Sequence, residues 1–223
     1  MRSALLAIWQ ADSGFPNGSF AFSYGVEAIT ALRGKFTPEA LTALINTVLR
    51  QRWTTFDRLF LLRAFQAGDD LAALAALDRE CEAMNLLAPH REGSRRNGSS
   101  FVASHTRLGN EMAARLRIAI AAGDGLGHLP VMQGAVWRAL QFDAASAQLA
   151  SGYVTASGIA AAAVRLGAIG ALQAQRALQA SLVTIEALIG EGDEANAEPS
   201  SFVPFIDIAA ARHVRADLRL FVN

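Results

Sequence analysis

A chain of 223 residues, 52% hydrophobic and 18% charged, is long enough for one large domain with a sizeable core. Its 20 basic and 20 acidic side chains cancel, with a pI of about 6.9, which argues against a nucleic-acid binder. No uncharged apolar run reaches about 18 residues, so no transmembrane helix is expected, and MRSALLAIWQ is too short for a signal peptide; a cytoplasmic protein is expected.

Ser3 to Gln10 reads as a short apolar helix. The stretch DSGFPNGSFAFSYGVE follows. Asp12, Ser13, Gly14, Pro16, Asn17 and Gly18 punctuate a loop, since each restricts or frees the backbone in favour of turns. Ser19 is positioned to cap a helix running from Phe20 to about Arg33, which Gly34 ends. Thr37-Pro38-Glu39 then supplies a cap, a proline at the first helical position and an acid in the first turn. Leu41, Ile45, Val48, Leu49, Trp53, Phe56 and Phe60 keep helical spacing in a long helix that stops near Gly68. Asp69 or Asp70 caps the next helix, bounded by Pro89. Cys81 is the only cysteine and lies on the stripe of Leu71, Leu74, Leu77 and Met84, so it is expected to be a buried structural thiol.

The segment HREGSRRNGSS breaks this character with glycine, serine and arginine. It reads either as a solvated helix start or as a polar surface or channel wall. Phe101 to Ile120 keep a weak helical period, GDGLGHLP is a break, and Pro130 opens another helix through Leu140. Asp143 caps a segment to Gly170 crowded with alanine, glycine and serine, which predicts a central helix closely approached on several sides. Ala171 to Ile189 is a further amphipathic helix. An acidic loop, a helix from Phe205 to Asp217 and the apolar ending RLFVN complete the chain. Hairpin signals are lacking, so the expectation is an all-α, single-domain multi-helix bundle over residues 1–223. The N-terminal segment 1–18 and the tail 218–223 are expected to be partner-contacting extensions.

No G-x-x-x-x-G-K-[ST] loop is present, and Gly123, Gly125 and Gly127 follow no strand, so the chain is not expected to hydrolyse nucleotides. His90, His105, His128 and His213 do not pair at helical spacing, and no G-x-S-x-G elbow occurs. No catalytic, cofactor or metal residue is assigned. Arg165, alone among alanines, reads as snorkelling, paired, or facing a partner.

The order Asp12, Ser13, Pro16, Gly18, Phe20, Ser23, Gly25, Glu27 resembles the N-terminal signature of the urease accessory protein UreF family. Arg91, Glu92, Ser94 and Gly98 resemble its central segment. His128, Pro130, Val131 and Gly134 resemble its His-x-Pro-Val segment. Ala163, Val164, Arg165, Leu166, Gly170 and Gln175 follow, and Arg219, Leu220 and Phe221 resemble the family's Arg-Leu-Phe ending. Phe22 stands where the family usually has histidine, and Ala21 where it usually has serine. The resemblance implies a non-enzymatic scaffold in nickel-urease maturation. It implies a homodimer that binds UreD (also called UreH), recruits or regulates the GTPase UreG, and serves apo-urease. Nickel would be handled transiently by the complex, with no stably bound cofactor. The implied partner-binding residues are Asp12, Pro16, Gly18, Phe20, Ser23, Glu27, Arg91, Glu92, Ser94, Arg165, Arg219, Leu220 and Phe221. The rival expectation, from helicity alone, is an enzyme or a haem- or small-molecule-binding protein with a pocket between helices.

Overall fold

The computed structural model describes residues 1–16, 25–190 and 197–213, leaving aside the side chains of Arg33 and of residues 209–213. Among the described residues every regular element is helical. In chain order these are α1 (Arg2–Ala11), α2 (Val26–Arg33), α3 (Pro38–Val48), a π-helical segment (Leu49–Asp57), α4 (Arg58–Ala67), α5 (Leu71–Met84), α6 (Ala88–Arg107), α7 (Glu111–Ala122), α8 (Leu129–Ala139), α9 (Ala144–Arg165), α10 (Ala171–Gly190) and α11 (Pro204–His213).

The helix starts follow local chemistry. The side chains of Thr37, Asp70, Asn110 and Asp143 accept hydrogen bonds from the first-turn amides of Ala40, Ala72 and Ala73, Ala113, and Ser146. Each satisfies a donor that the helix itself leaves open. Three expectations need correction. The helix expected from Phe20 to Arg33 starts, among the described residues, at Val26, because Gly25 has φ +77°, while Ser19 and residues 20–24 lie outside the described residues. The long helix from Thr37 changes to π geometry at Leu49, where Arg58 N–H reaches back to the Trp53 carbonyl. HREGSRRNGSS does open a helix, α6, but a wholly solvated start is corrected, because Gly93, Asn97 and Gly98 are buried there.

Two apolar clusters form the core. The first gathers Phe56, Phe60, Leu61, Leu74, Cys81, Phe101, Val131 and Trp137. The second gathers Val26, Ile29, Leu41, Ile45, Trp53, Ile159, Leu178 and Ile185. Helix α9 serves both, with Ala147 and Ala150 in the first and Ala156 to Ala163 in the second. Its small residues permit this: a Cβ on Gly152 would stand 3.0 Å from Trp53 Cζ2 and 3.1 Å from Ile185 Cγ2. Beside it, Trp53 Nε1–H donates to Ser151 Oγ at 3.1 Å. Helix α8 is buried from Pro130 to Trp137, as expected for a helix enclosed on all sides. No described helix is long and apolar enough to cross a membrane.

Candidate partner-binding surface

The described part of the first loop, residues 12–16, is held at both ends. Gln10, at the end of α1, is 2% exposed. Its Oε1 accepts from Trp137 Nε1 at 2.9 Å and from His105 Nε2 at 3.0 Å. An amide oxygen only accepts, so His105 carries its proton on Nε2. The ring lies among Trp9, Phe15 and Phe101 at centroid distances of 6.0, 5.1 and 4.5 Å. Past α1, the Asp12 carboxylate accepts from Gly14 N–H at 2.6 Å and the Asp12 carbonyl from Phe15 N–H at 3.0 Å, closing a tight turn. Ser104 Oγ of α6 donates to the Pro16 carbonyl. Asp12 and Pro16 thus border a groove of about 440 Å³ with Trp9, Ser104, Arg107 and Leu108. Leu5, Ile8 and Trp9 remain exposed on α1 nearby in sequence.

Burial pushes His105 down to about 4. Its folded pKa lies below the unfolded value of about 6.5, so the unfolded chain takes up the proton first as pH falls. Stability is therefore expected to fall between about pH 6.5 and about pH 4, by about 3 kcal/mol from this ring. Urea unfolding at stepped pH checks this. His105→Leu should flatten that limb of the profile, and an unchanged slope in the variant would assign the acid sensitivity elsewhere.

The N-terminal half of α6 organises a second region. Arg91 donates through Nη1 to the carbonyls of Asn85 (2.7 Å) and Leu86 (2.9 Å), just past the end of α5. Its Nε lies 3.4 Å from Glu82 Oε1, which also meets Arg95 Nη1 at 3.4 Å. Glu82 Oε2 accepts from His128 Nε2 at 2.8 Å. Burial holds His128 below the usual histidine value, against the opposing pull of Asp78 and Glu82. Ser94 Oγ accepts from the Leu129 amide at 3.2 Å. Glu92 faces outward and is exposed. One turn before Glu82, Asp78 is 1% exposed and cradles the loop leading into α8. Its Oδ2 accepts from the amides of Leu126 (2.6 Å) and Gly127 (2.7 Å), and its Oδ1 from His128 (2.8 Å).

A third set of bonds centres on the π segment. Arg52 is bidentate on Asp57 at 3.2 and 3.3 Å and also donates to Asn85 Oδ1 (3.1 Å) and Ser201 Oγ (3.3 Å). The Gln51 and Thr55 carbonyls accept from the amides of Phe202 and Ser200, so the chain before α11 runs back over this segment. His90, at the start of α6, lies 3.7 Å from Asp207 of α11. Burial and then Arg52 push His90 down to about 4, while burial raises Asp207. Between these elements lies a cavity of about 160 Å³.

Of the sequence-assigned residues, Asp12 and Pro16 meet at the C-terminal end of α6, and Arg91 and Ser94 lie toward its start. Glu27 is 9% exposed in the first turn of α2, where a carboxylate suits the helix dipole. Arg165 is half-buried in the last turn of α9, beside the second cluster. Gly18, Phe20 and Ser23 lie outside the described residues, as do Arg219, Leu220 and Phe221. Cys81 is fully buried, and burial raises its thiol far above the usual range. Among the described residues no three His, Cys, Asp or Glu side chains gather as a metal site. Sequence reasoning missed Gln10, Arg52 and Asp78. Asp78 had a signal: it sits four residues after Leu74 and three before Cys81, so a carboxylate interrupts a buried stripe.

Comparison with known proteins gives a consistent result. Residues 36–182 match the UreF protein-family model. Urease accessory protein UreF of Trichodesmium erythraeum (strain IMS101) is 32% identical over 227 residues, covering 99% of this chain and 97% of the relative. Urease accessory protein UreF 1 of Brucella melitensis biotype 1 is 30% identical, covering 95% and 89%. Urease accessory protein UreF of Actinobacillus pleuropneumoniae is 28% identical, covering 93% and 89%.

Proposed function

The chain belongs to the UreF family of urease accessory proteins, and from that premise we propose that it is a non-enzymatic cytoplasmic scaffold for nickel delivery to apo-urease. It acts as a homodimer, binds UreD (UreH), and recruits or regulates UreG. Nickel passes through the assembly as cargo and is not a resident cofactor. The observation that carries this reading is similarity to urease accessory proteins along almost the whole chain. The interior supports it. Arg91, Ser94 and His128 tie α5, α6 and the α8 entry into one unit, a stiff platform rather than a set of reacting groups. Asp12, Pro16, Gly18, Phe20, Ser23, Glu27, Arg91, Glu92, Ser94 and Arg165 are assigned to partner contact, and the ending Arg219, Leu220, Phe221 to the UreD interface.

Tagged protein is expected to capture its cognate UreD and, once UreD is bound, to retain added UreG. Removing Arg219 to Asn223 should abolish UreD capture with helicity and melting nearly unchanged. Loss of UreD binding by the intact chain would refute the scaffold role. A truncated chain that still captures UreD normally would move the interface away from the tail.

A further inference from the structure

The cavity beside the π segment is walled by α6, α8 and α9, with Val203 and Ile206 of the returning chain. Two buried carboxamides line it: Asn97 from α6 and Gln133 from α8, each 6% exposed. Neither forms a hydrogen bond with another described residue, and Asn97 Oδ1 is fully buried without a partner. A buried amide oxygen left unpaired costs about 1–3 kcal/mol, so Asn97 Oδ1, orphaned in a cavity that Gln133 also lines, needs a reason.

The lining also fixes the charge of an occupant. Arg52 is neutralised by its bidentate bond to Asp57. His90, pushed down to about 4, is neutral near pH 7. Among the described lining residues, an ion entering here would lose its hydration and find no free counter-ion. Two carboxamides offer both donors and acceptors, and the remaining wall, with Val48 and Val154, is largely apolar. At 160 Å³ the space is close to that of an engineered cavity of about 150 Å³ that takes up benzene.

We propose that this cavity is a binding site for a small neutral primary amide, held by Asn97 and Gln133. The amide NH₂ donates to Asn97 Oδ1, its carbonyl accepts from Gln133, and its alkyl part packs on the valines. The site stands independently of the scaffold role, since neither carboxamide takes part in the contacts assigned to UreD or UreG.

Isobutyramide and isobutyrate share one shape and differ in charge. Titrated into isotopically labelled protein at pH 7, isobutyramide is expected to shift the Asn97 and Gln133 side-chain resonances saturably, with a Kd near about 1 mM, while isobutyrate binds at least about tenfold more weakly. Asn97→Leu should weaken amide binding by about tenfold or more. Gln133→Met tests the same point should the first variant fail to fold. Three results would overturn the proposal: no saturable shift with isobutyramide, equal affinity for isobutyrate, or undiminished amide binding in a folded variant. The first would mean that the cavity holds ordered water only.

Discussion

Replacing Gly134 by alanine is expected to destabilise the protein by about 4 kcal/mol and lower its melting temperature by about 12 °C. Gly134 lies in α8 where that helix crosses α4. An added Cβ would stand 2.3 Å from the Leu61 carbonyl oxygen and 2.9 Å from the Phe65 amide nitrogen. These are backbone atoms of a second helix, so no side-chain rotation relieves the clash. The helices must part, and α8 is buried from Pro130 to Trp137. Separation therefore opens gaps around Val131, Val136 and Trp137 as well. Gly190→Ala is the matched control: no described residue lies within 4 Å of its Cβ position, and it should melt like the parent. Calorimetry on both variants decides. A Gly134→Ala protein melting within about 2 °C of the parent would contradict the close crossing.

Loss of the Asp78 carboxylate should cost a similar amount. Its two oxygens take three backbone amides from one loop, at 2.6 to 2.8 Å, in a site 1% exposed. Alanine there leaves three donors without acceptors, two of them buried, an expected loss of about 4 kcal/mol. Asparagine is the more instructive change. One of its oxygens becomes an NH₂, which must face at least one amide N–H, donor against donor. About half the loss is expected. Amide exchange at Leu126, Gly127 and His128 should speed up in both variants while α10 exchanges as before at low denaturant. Unchanged protection at those three amides would show that Asp78 does not hold the loop. The neighbouring packing makes the loop's position matter: a Cβ on Gly98 would lie 2.0 Å from the Gly127 carbonyl oxygen.

The helical class, most helix ends and the buried thiol were legible because each rests on local chemistry. Thr37, Asp70 and Asp143 cap where capping residues precede an apolar period. Alanine and glycine in α9 announced close approach, and Gly152 meets Trp53. Family membership was legible from short matches in the right order. The bonding around these elements was not, because it joins residues far apart in the chain. Gln10 reaches Trp137, and Arg52 reaches Ser201. Nothing local in HREGSRRNGSS shows that Asn97 and Gly98 turn inward, since the inward face is set by the neighbours of α6. The π segment left no trace either, since Leu49, Trp53 and Phe56 have ordinary helical spacing.

That segment also acts as a phase shifter within one unbroken rod. Before it, Leu41, Ile45 and Val48 face one cluster; after it, Phe60, Leu61, Ala64 and Phe65 face the other. A uniform α-helix advances about 100° per residue and would hold both stripes to a single azimuth. A π turn holds more residues than an α turn, so the segment alters the phase between the two stripes, and Trp53 in the second cluster and Phe56 in the first mark the handover. Chain length between Leu49 and Asp57 is thus a geometric quantity distinct from side-chain identity. Removing one residue would leave hydrophobicity and composition almost untouched, yet would turn every later position of α4 by about 100° and aim its phenylalanines away from their sockets. Substitutions at the outward positions keep the count and so keep the register, which makes this a stretch where the number of residues is held more tightly than their kind.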